Sequence, residues 1–288
     1  MMSDEKNKVL ASTLYLVGTP IGNLSDISER AIKVLSEVDF IAAEDTRNSS
    51  KLLHVLGIKK ELVSYHEHNK RASGERIIAR LLAGESCALI TDAGMPAISD
   101  PGEDMVVICA ESGVSVTVVP GPCAAVSALS LSGLATGRFA FEGFLSANRG
   151  ERIKQLERVK NDDRTLIFYE APHKLKSALS DMGEILGSDR KISLCREITK
   201  LNEQIIRTTI SAAIDYYESL EPRGEYVLVV DGFKGEIISD EKAELLSLSP
   251  ESHVERYVAE GMSRMDAIKR AAKDRGMTKS ELYKILNT

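Results

Sequence analysis

Three stretches concentrate the residue types that could do chemistry, and each follows an apolar run. The first, residues 14–35, reads LYLVGTPIGNLSDISERAIKVL, with Gly18, Pro20 and Gly22 between the apolar run and a helical pattern. The second, residues 88–102, reads ALITDAGMPAISDPG and carries Asp92, Gly94, Pro96, Asp100, Pro101 and Gly102. The third, residues 118–134, reads VVPGPCAAVSALSLSGL and opens a helix of small residues.

The first turn fails as a phosphate loop. Gly18 and Gly22 give G-x-x-x-G, whereas the dinucleotide fingerprint is G-x-G-x-x-G and the P-loop is G-x-x-x-x-G-K-[ST]. Pro20 also removes an amide that a phosphate cradle would use. Glu44 and Asp45 lie where a ribose-binding acid would follow such a fingerprint, which keeps a dinucleotide reading open beside the bland one of a tight strand-to-helix connection. The second turn is richer. Its glycine permits close backbone approach, its amides and carbonyls could hold an adenine or an amino-acid group, and Pro101 suits the first turn of a helix. Three such turns at successive strand ends exceed what packing alone requires.

Other candidates carry less. AEDTR, residues 43–47, ends a strand with two acids and Arg47; it could orient a substrate hydroxyl or form a salt-bridged cap. SYHEHN, residues 64–69, holds His66 and His68, which would share a face on a strand and could bind metal. With no matching Cys/His cluster, loop histidines are the favoured reading and no metal is expected. REITKLNEQ, residues 196–204, mixes charges at a strand end and could touch a phosphate backbone. No Ser/His/Asp arrangement follows from spacing.

These turns need strands and helices to hold them, and the periodicity supplies both. Residues 13–18, 39–43, 61–64, 87–91 and 114–119 read as strands, alternating with helices near 27–38, 49–56, 71–83, 104–112 and 123–132. That alternation predicts an α/β layer with a mainly parallel sheet. A second series follows, with strands at 139–143, 165–169, 192–196, 203–208 and 225–230 and helices at 149–160, 173–186 and 211–219. Its last strands follow one another closely, so a mixed or antiparallel sheet is expected there. From Pro250 onward every pattern is helical; Gly276 stops one helix, and TKSE at 278–281 is a capping box opening the next. The expected division is 1–136, 137–240 and 241–288.

Composition bounds the class. The chain has 288 residues, enough for two domains at about 150 residues each, and is 43% hydrophobic. No apolar run approaches the roughly 18 residues of a membrane span, and the charged opening MMSDEKNKVL lacks a secretory apolar region. The four cysteines form no CxxC pair, which points to a reducing, cytosolic setting. A net charge of −6 disfavours indiscriminate nucleic-acid binding but leaves room for a local basic patch. The tail from Pro250 has eight Lys/Arg against six Asp/Glu, equally compatible with a solvated packing face and with a nucleic-acid role.

Taken in order, the motifs LYLVGTPIGNLSDIS, AEDTR, SYHEHN, TDAGMPAISDPG, VPGPCAAVSALSLSGL, FEGFL, FYEAPHKL, CREITKLNEQ and GEYVLVV resemble the ribosomal RNA small-subunit methyltransferase I family of the tetrapyrrole (corrin/porphyrin) methylase superfamily. The likeness runs from Leu14 to Val230, and the helical tail with KSELYKIL is also similar. The resemblance implies two α/β domains with S-adenosylmethionine in the cleft between them, followed by a small helical module. It implies 2′-O-methylation of a cytidine ribose in the decoding region of 16S ribosomal RNA, by a cytoplasmic homodimer acting on the small ribosomal subunit.

Carried over by motif position, the cofactor would meet Asp92, Ala93, Gly94, Met95 and Ile98, then Cys123 and Ala124. Phe168, Tyr169, Ala171, Glu225 and Tyr226 would face it from the second half, with Pro20 near the cleft. A ribose hydroxyl is a weak nucleophile, so a base should take its proton; Glu44, Asp45 and Lys200 are the candidates. On the substrate side stand Gly18, Gly22, Arg47 and Arg196. An RNA enzyme with acidic net charge needs local basic footing. Arg149, Arg152 and Lys154, with Arg158, Lys160, Arg164 and the upstream Arg138, are expected to supply it. The alternatives are a small-molecule (tetrapyrrole) methylase of the same superfamily and a non-catalytic nucleotide- or RNA-binding module.

Overall fold

The computed structural model describes residues 8–235 and 240–287. They form two compact units, the first ending at Phe233 and the second beginning at Lys234.

The first unit opens with a five-stranded sheet of β1 (Thr13–Val17), β2 (Phe40–Ala43), β3 (Glu61–Ser64), β4 (Cys87–Ile90) and β5 (Ser115–Val119), in the order β3-β2-β4-β1-β5. Every pairing is parallel. The central strands FIAA and CALI are buried throughout, because helices cover both faces. Those helices are α1 (Glu29–Glu37), α2 (Thr46–Val55), α3 (Lys70–Leu82) and α4 (Glu103–Glu111); α5 (Ala124–Ser132) follows β5 and packs on the second sheet instead. One face packs Phe40, Tyr65, Ile77, Leu81 and Met105; the other packs Val17, Val34, Leu35, Ile41 and Leu53. Ser28 and Asp45 cap α1 and α2 by accepting from Ala31 N and Arg47 N. Pro101 stops short of α4: Gly102, at φ +145°, precedes the first helical residue, and a Cβ there would lie 3.1 Å from Leu89 and 3.2 Å from Ala97.

The second sheet holds β6 (Phe139–Phe144), β7 (Thr165–Glu170), β8 (Lys191–Arg196), β9 (Gln204–Thr209) and β10 (Tyr226–Val230), ordered β6-β7-β10-β8-β9. Only β6 and β7 run parallel; β10 is antiparallel to β7 and β8, and β8 to β9. The mixed arrangement expected from the close spacing is therefore present, since a short connection can join only antiparallel neighbours. Helices α6 (Arg149–Val159), α7 (Pro172–Leu186) and α8 (Ile210–Glu218) enclose one core with Leu156, Phe168, Leu179 and Leu228. On the other face Ala125, Ala128 and Leu129 of α5 pack against Ile167, Cys195, Val227 and Val229. The small residues of α5 thus serve close helix-to-sheet packing.

The second unit is helical: α9 (Asp240–Ser247), α10 (Pro250–Ala259), α11 (Arg264–Asp274) and α12 (Lys279–Leu286). The pattern read from Pro250 missed α9. Val254, Tyr257, Ala267, Ile268, Ala271 and Leu282 form its core. The Thr278/Glu281 capping box is present at α12, and Gly276 takes φ +67° after α11. No described helix is long and apolar enough to cross a membrane.

Candidate active site

Because the first sheet is all parallel, the turns after β1, β2, β4 and β5 emerge at one edge, where open α/β sheets take ligands. The turn after β1 is sewn to the turn after β4. Thr19 N donates to Gly94 O at 2.9 Å, Gly94 N donates back at 3.1 Å, and Thr19 Oγ1 donates to Thr91 O at 3.2 Å. Gly18 lies against the turn after β5: a Cβ on it would stand 2.7 Å from Gly121 Cα and 2.7 Å from Met95 Sδ. Gly94 holds φ +88°, a left-handed backbone that any side chain would strain. The second sheet turns the ends of β6, β7 and β8 and the start of β10 towards these loops. Between the two sets lies a cavity of about 550 Å³.

The first-sheet wall comprises Ile21, Glu44, Asp92, Ala93, Gly94 and Met95, then Ile98, Ser99, Asp100, Cys123 and Ala124. The second-sheet wall comprises Phe144, Tyr169, Glu170, Ala171, Pro172 and His173, then Cys195, Glu197, Ile198, Lys200, Glu225, Tyr226 and Val227. Three carboxylates share the first wall. Burial, followed by the charges of Glu44 and Asp92, pushes Asp100 up to about 7. Burial and the nearby Asp92 charge also raise Glu44. Asn48 Nδ2 donates to Asp92 Oδ2 at 2.9 Å. Two helix N-termini reach the cavity with no hydrogen bond from the side chain of the N-cap residue itself, that of α5 at Cys123 and that of α7 at Ala171, whose own N donates to Glu170 Oε1 at 2.9 Å. Tyr169 is fixed by its hydroxyl, which accepts from Ala125 N at 3.2 Å. On the second wall Lys200 Nζ pairs with Glu197 at 2.9 Å and Glu225 at 2.7 Å.

This donor set fits a zwitterionic sulfonium nucleoside. The positive end of a helix suits a carboxylate, carboxylates suit an ammonium and a sulfonium, and Met95, Cys123, Ala124, Ala171 and Val227 offer small or apolar contact. No group of three or more His, Cys, Asp or Glu among the described residues is arranged to hold a metal. His66 and His68 lie in the loop after β3, their ring centroids 6.0 Å apart.

Most residues singled out by sequence meet at this cavity: Glu44, Lys200, Asp92, Ala93, Gly94, Met95, Ile98, Cys123, Ala124, Tyr169, Ala171, Glu225 and Tyr226. Others go elsewhere. Strand alternation turns Phe168 into the core with Leu166 and Leu175. Asp45 is outside the lining; hydrogen bonds from Arg47 hold it at about 2, too weak a base for a hydroxyl proton. Lys200 lines the cavity but is a poor base: burial opposes its charge, yet hydrogen bonds to Glu225 and Glu197 outweigh this and raise it. Pro20 follows the Thr19–Gly94 bridge without lining the cavity, and Gly22 packs beneath Lys200, whose Cγ would be 2.4 Å from a Cβ. Arg196 is outside the lining as well, its Nε donating to Arg223 O at 2.6 Å.

Six of the seven cations expected as basic footing are paired. Arg152, 6% exposed, pairs with Asp181 at 2.6 Å and supports the fold. Arg149 pairs with Asp181 and Glu184, Lys154 with Glu151, Lys160 with Glu157, Arg164 with Asp162 and Arg138 with Asp163. Arg158, the seventh, is exposed and outside these pairs, so among the described residues the expected field of unopposed cations shrinks there to one side chain. Of the lining residues that were not site candidates, three bear most on the chemistry: Asp100, Glu197 and Phe144. Asp100 was visible in the second turn as a carboxylate among glycines and prolines. Phe144 owes its position to a bulge, which sequence alternation conceals.

Residues 13–214 match the family model of Tetrapyrrole (Corrin/Porphyrin) Methylases. The chain is 50% identical over 273 residues to the ribosomal RNA small subunit methyltransferase I of Halalkalibacterium halodurans, covering 95% of this chain and 94% of that one. It is 49% identical over 270 residues to the protein of the same name from Bacillus subtilis, covering 94% and 92%. Among solved structures it is similar to uroporphyrin-III-C-methyltransferase from Thermus thermophilus, with TM-score 0.54 and 22% identity, covering 76% of this chain and 94% of that one. That last likeness speaks for the fold alone.

Proposed function

The chain belongs to the ribosomal RNA small subunit methyltransferase I family of the tetrapyrrole methylases, and from that premise we propose that it methylates the 2′-hydroxyl of a cytidine ribose in the decoding region of 16S ribosomal RNA. It is a methyltransferase that uses S-adenosylmethionine. When bound, that cofactor supplies an electrophilic methyl group on sulfur. Asp92, the N-terminus of α5 and the small residues Cys123 and Ala124 would hold it.

The observation that carries the reaction class is the pair Glu44 and Asp100 on one wall of the cleft, with Asp100 pushed up to about 7. A hydroxyl must lose its proton as it attacks, and a carboxylate of near-neutral pKa is matched to that work. Glu44 and Asp100 together take the proton; Lys200, held by Glu197 and Glu225, stays protonated and does not act as the base. The turn carrying Gly18 and Gly22 walls the cleft, with Arg47 exposed nearby, its guanidinium paired to Asp45 at 2.8 Å. The same reading gives a cytoplasmic homodimer, divided at 1–136, 137–240 and 241–288, whose partner is the small ribosomal subunit.

The test is labelled methyl transfer to small subunits lacking the modification, followed by alkaline hydrolysis of the RNA. A 2′-O-methyl group blocks cleavage of its own linkage, so label in an alkali-stable dinucleotide beginning with cytidine is expected. Label released in mononucleotides would place the methyl on a base and end the ribose reading.

A further inference from the structure

Phe144 ends β6 with 54% of its surface exposed, although it lines the cavity. Plain alternation would not bring it there. Phe141 packs on the face that meets α5, and three positions later a strand should present its opposite face. A bulge changes the parity: Phe141 pairs with Ile167, Gly143 with Phe168 and Phe144 with Tyr169, so Glu142 is skipped. Phe141 and Phe144 therefore share the face of Tyr169, and both rings meet Tyr169 edge-on, at 4.9 and 5.4 Å between centroids. Gly143 takes φ +65° at the bulge, and a Cβ on it would be 3.3 Å from Ser99 Oγ. That contact brings the end of β6 to the segment where Ala97 and Ser99 hold left-handed φ of +67° and +61°. Between them Ile98, 43% exposed, continues the apolar rim.

An aromatic ring braced from behind and open in front is a surface for a flat partner. We propose that Phe144 is the stacking platform for the nucleobase of the target nucleotide, with Ile98 extending the apolar rim; this rests on the RNA methyl-transfer reading. To expose a ribose hydroxyl to the cleft, the nucleotide must leave its own stack, and an aromatic face offsets that loss. The two side chains of this rim carry no polar atom, unlike Asp92 and the start of α5, which suit the cofactor. The pairing of Arg149, Arg152 and Lys154 also leaves less phosphate attraction on α6, so stacking has more of the affinity to supply.

The experiment compares wild type with Phe144→Ala, Phe144→Leu and Phe144→Tyr, measuring steady-state transfer to small subunits and S-adenosylmethionine affinity by calorimetry. Phe144 is largely exposed, so thermal unfolding should be little changed. Loss of the ring should raise KM for the subunit about tenfold while cofactor affinity stays within about twofold; Tyr should restore KM and Leu should not. A parallel fall in cofactor affinity would make Phe144 a cofactor wall and overturn the proposal. So would an unchanged KM, or full restoration by Leu, which would reduce the ring to apolar packing. A wild-type enzyme that methylates no RNA fails in its own arm, independently of the variants, and overturns the underlying reading together with this one.

Discussion

Asp100→Asn tests the electrostatics of the cleft in a way that activity alone does not. Burial and the charges of Glu44 and Asp92 move Asp100 from 3.8 to about 7. At about 1.4 kcal/mol per pH unit, that gap is roughly 4 kcal/mol; Asp100 is partly open to water, and screening reduces it to about 2 kcal/mol. The sign follows from linkage. A carboxyl whose folded value is raised favours the fold while protonated; that stability is fully present below about pH 4 and is lost as pH rises through about 7. Asparagine mimics the protonated acid at every pH. The variant and the wild type should therefore unfold at similar temperatures near pH 4, and above pH 8 the variant should be more stable by about 2 kcal/mol, or roughly 4–8 °C for a unit of this size. Thermal unfolding of both proteins at the two pH values measures the difference directly. An equal difference at both, or a less stable variant at high pH, would refute the placement of Asp100 among like charges.

Glu44→Gln should lower kcat by about two to four orders of magnitude with cofactor affinity preserved, and wild-type kcat/KM should rise as pH passes about 7 and then level; pre-steady-state transfer and calorimetry separate the two effects. Gly18→Ala places a methyl group 2.7 Å from Gly121 Cα and Met95 Sδ, so overpacking of about 1–3 kcal/mol should come with weakened cofactor binding, because Met95 lines the cavity; undiminished affinity would contradict that geometry. Arg152→Ala leaves buried Asp181 with Arg149 as its remaining partner and should cost less than the about 3–5 kcal/mol of a buried charge left alone, readable as a shifted urea midpoint; a merely RNA-binding Arg152 would leave the midpoint unchanged. Gly232→Ala would set a Cβ 2.0 Å from Asp163 O and should destabilise the first unit without altering KM of the surviving folded enzyme.

Much of the fold was legible because its signals are local. The strands FIAA and CALI read as continuous apolar runs, as strands buried on both faces must, and the capping box at Thr278 fixed a helix start to the residue. The cleft was legible at its turns, where glycine, proline and aspartate cluster after strands. What escaped depended on contacts distant in sequence. Phe168 and Tyr169 are neighbours in an apolar strand, and only the packing of β7 decides that the second faces the cleft and the first the core. Arg152 reads as a surface cation in a charged helix until Asp181 of α7 meets it. Asp45 is the local exception: of the two readings of AEDTR the salt-bridged cap is the one that forms, with Arg47 two residues on. Phe144 needed the bulge at Glu142, which no period of two foretells.

The most direct measurement is labelled methyl transfer from S-adenosylmethionine to three acceptors side by side: assembled small subunits lacking the modification, naked 16S ribosomal RNA, and a porphyrinoid precursor. The account predicts label in 16S RNA of the small subunit, at a cytidine ribose of the decoding region, and none in the porphyrinoid. Transfer to the porphyrinoid alone would contradict it.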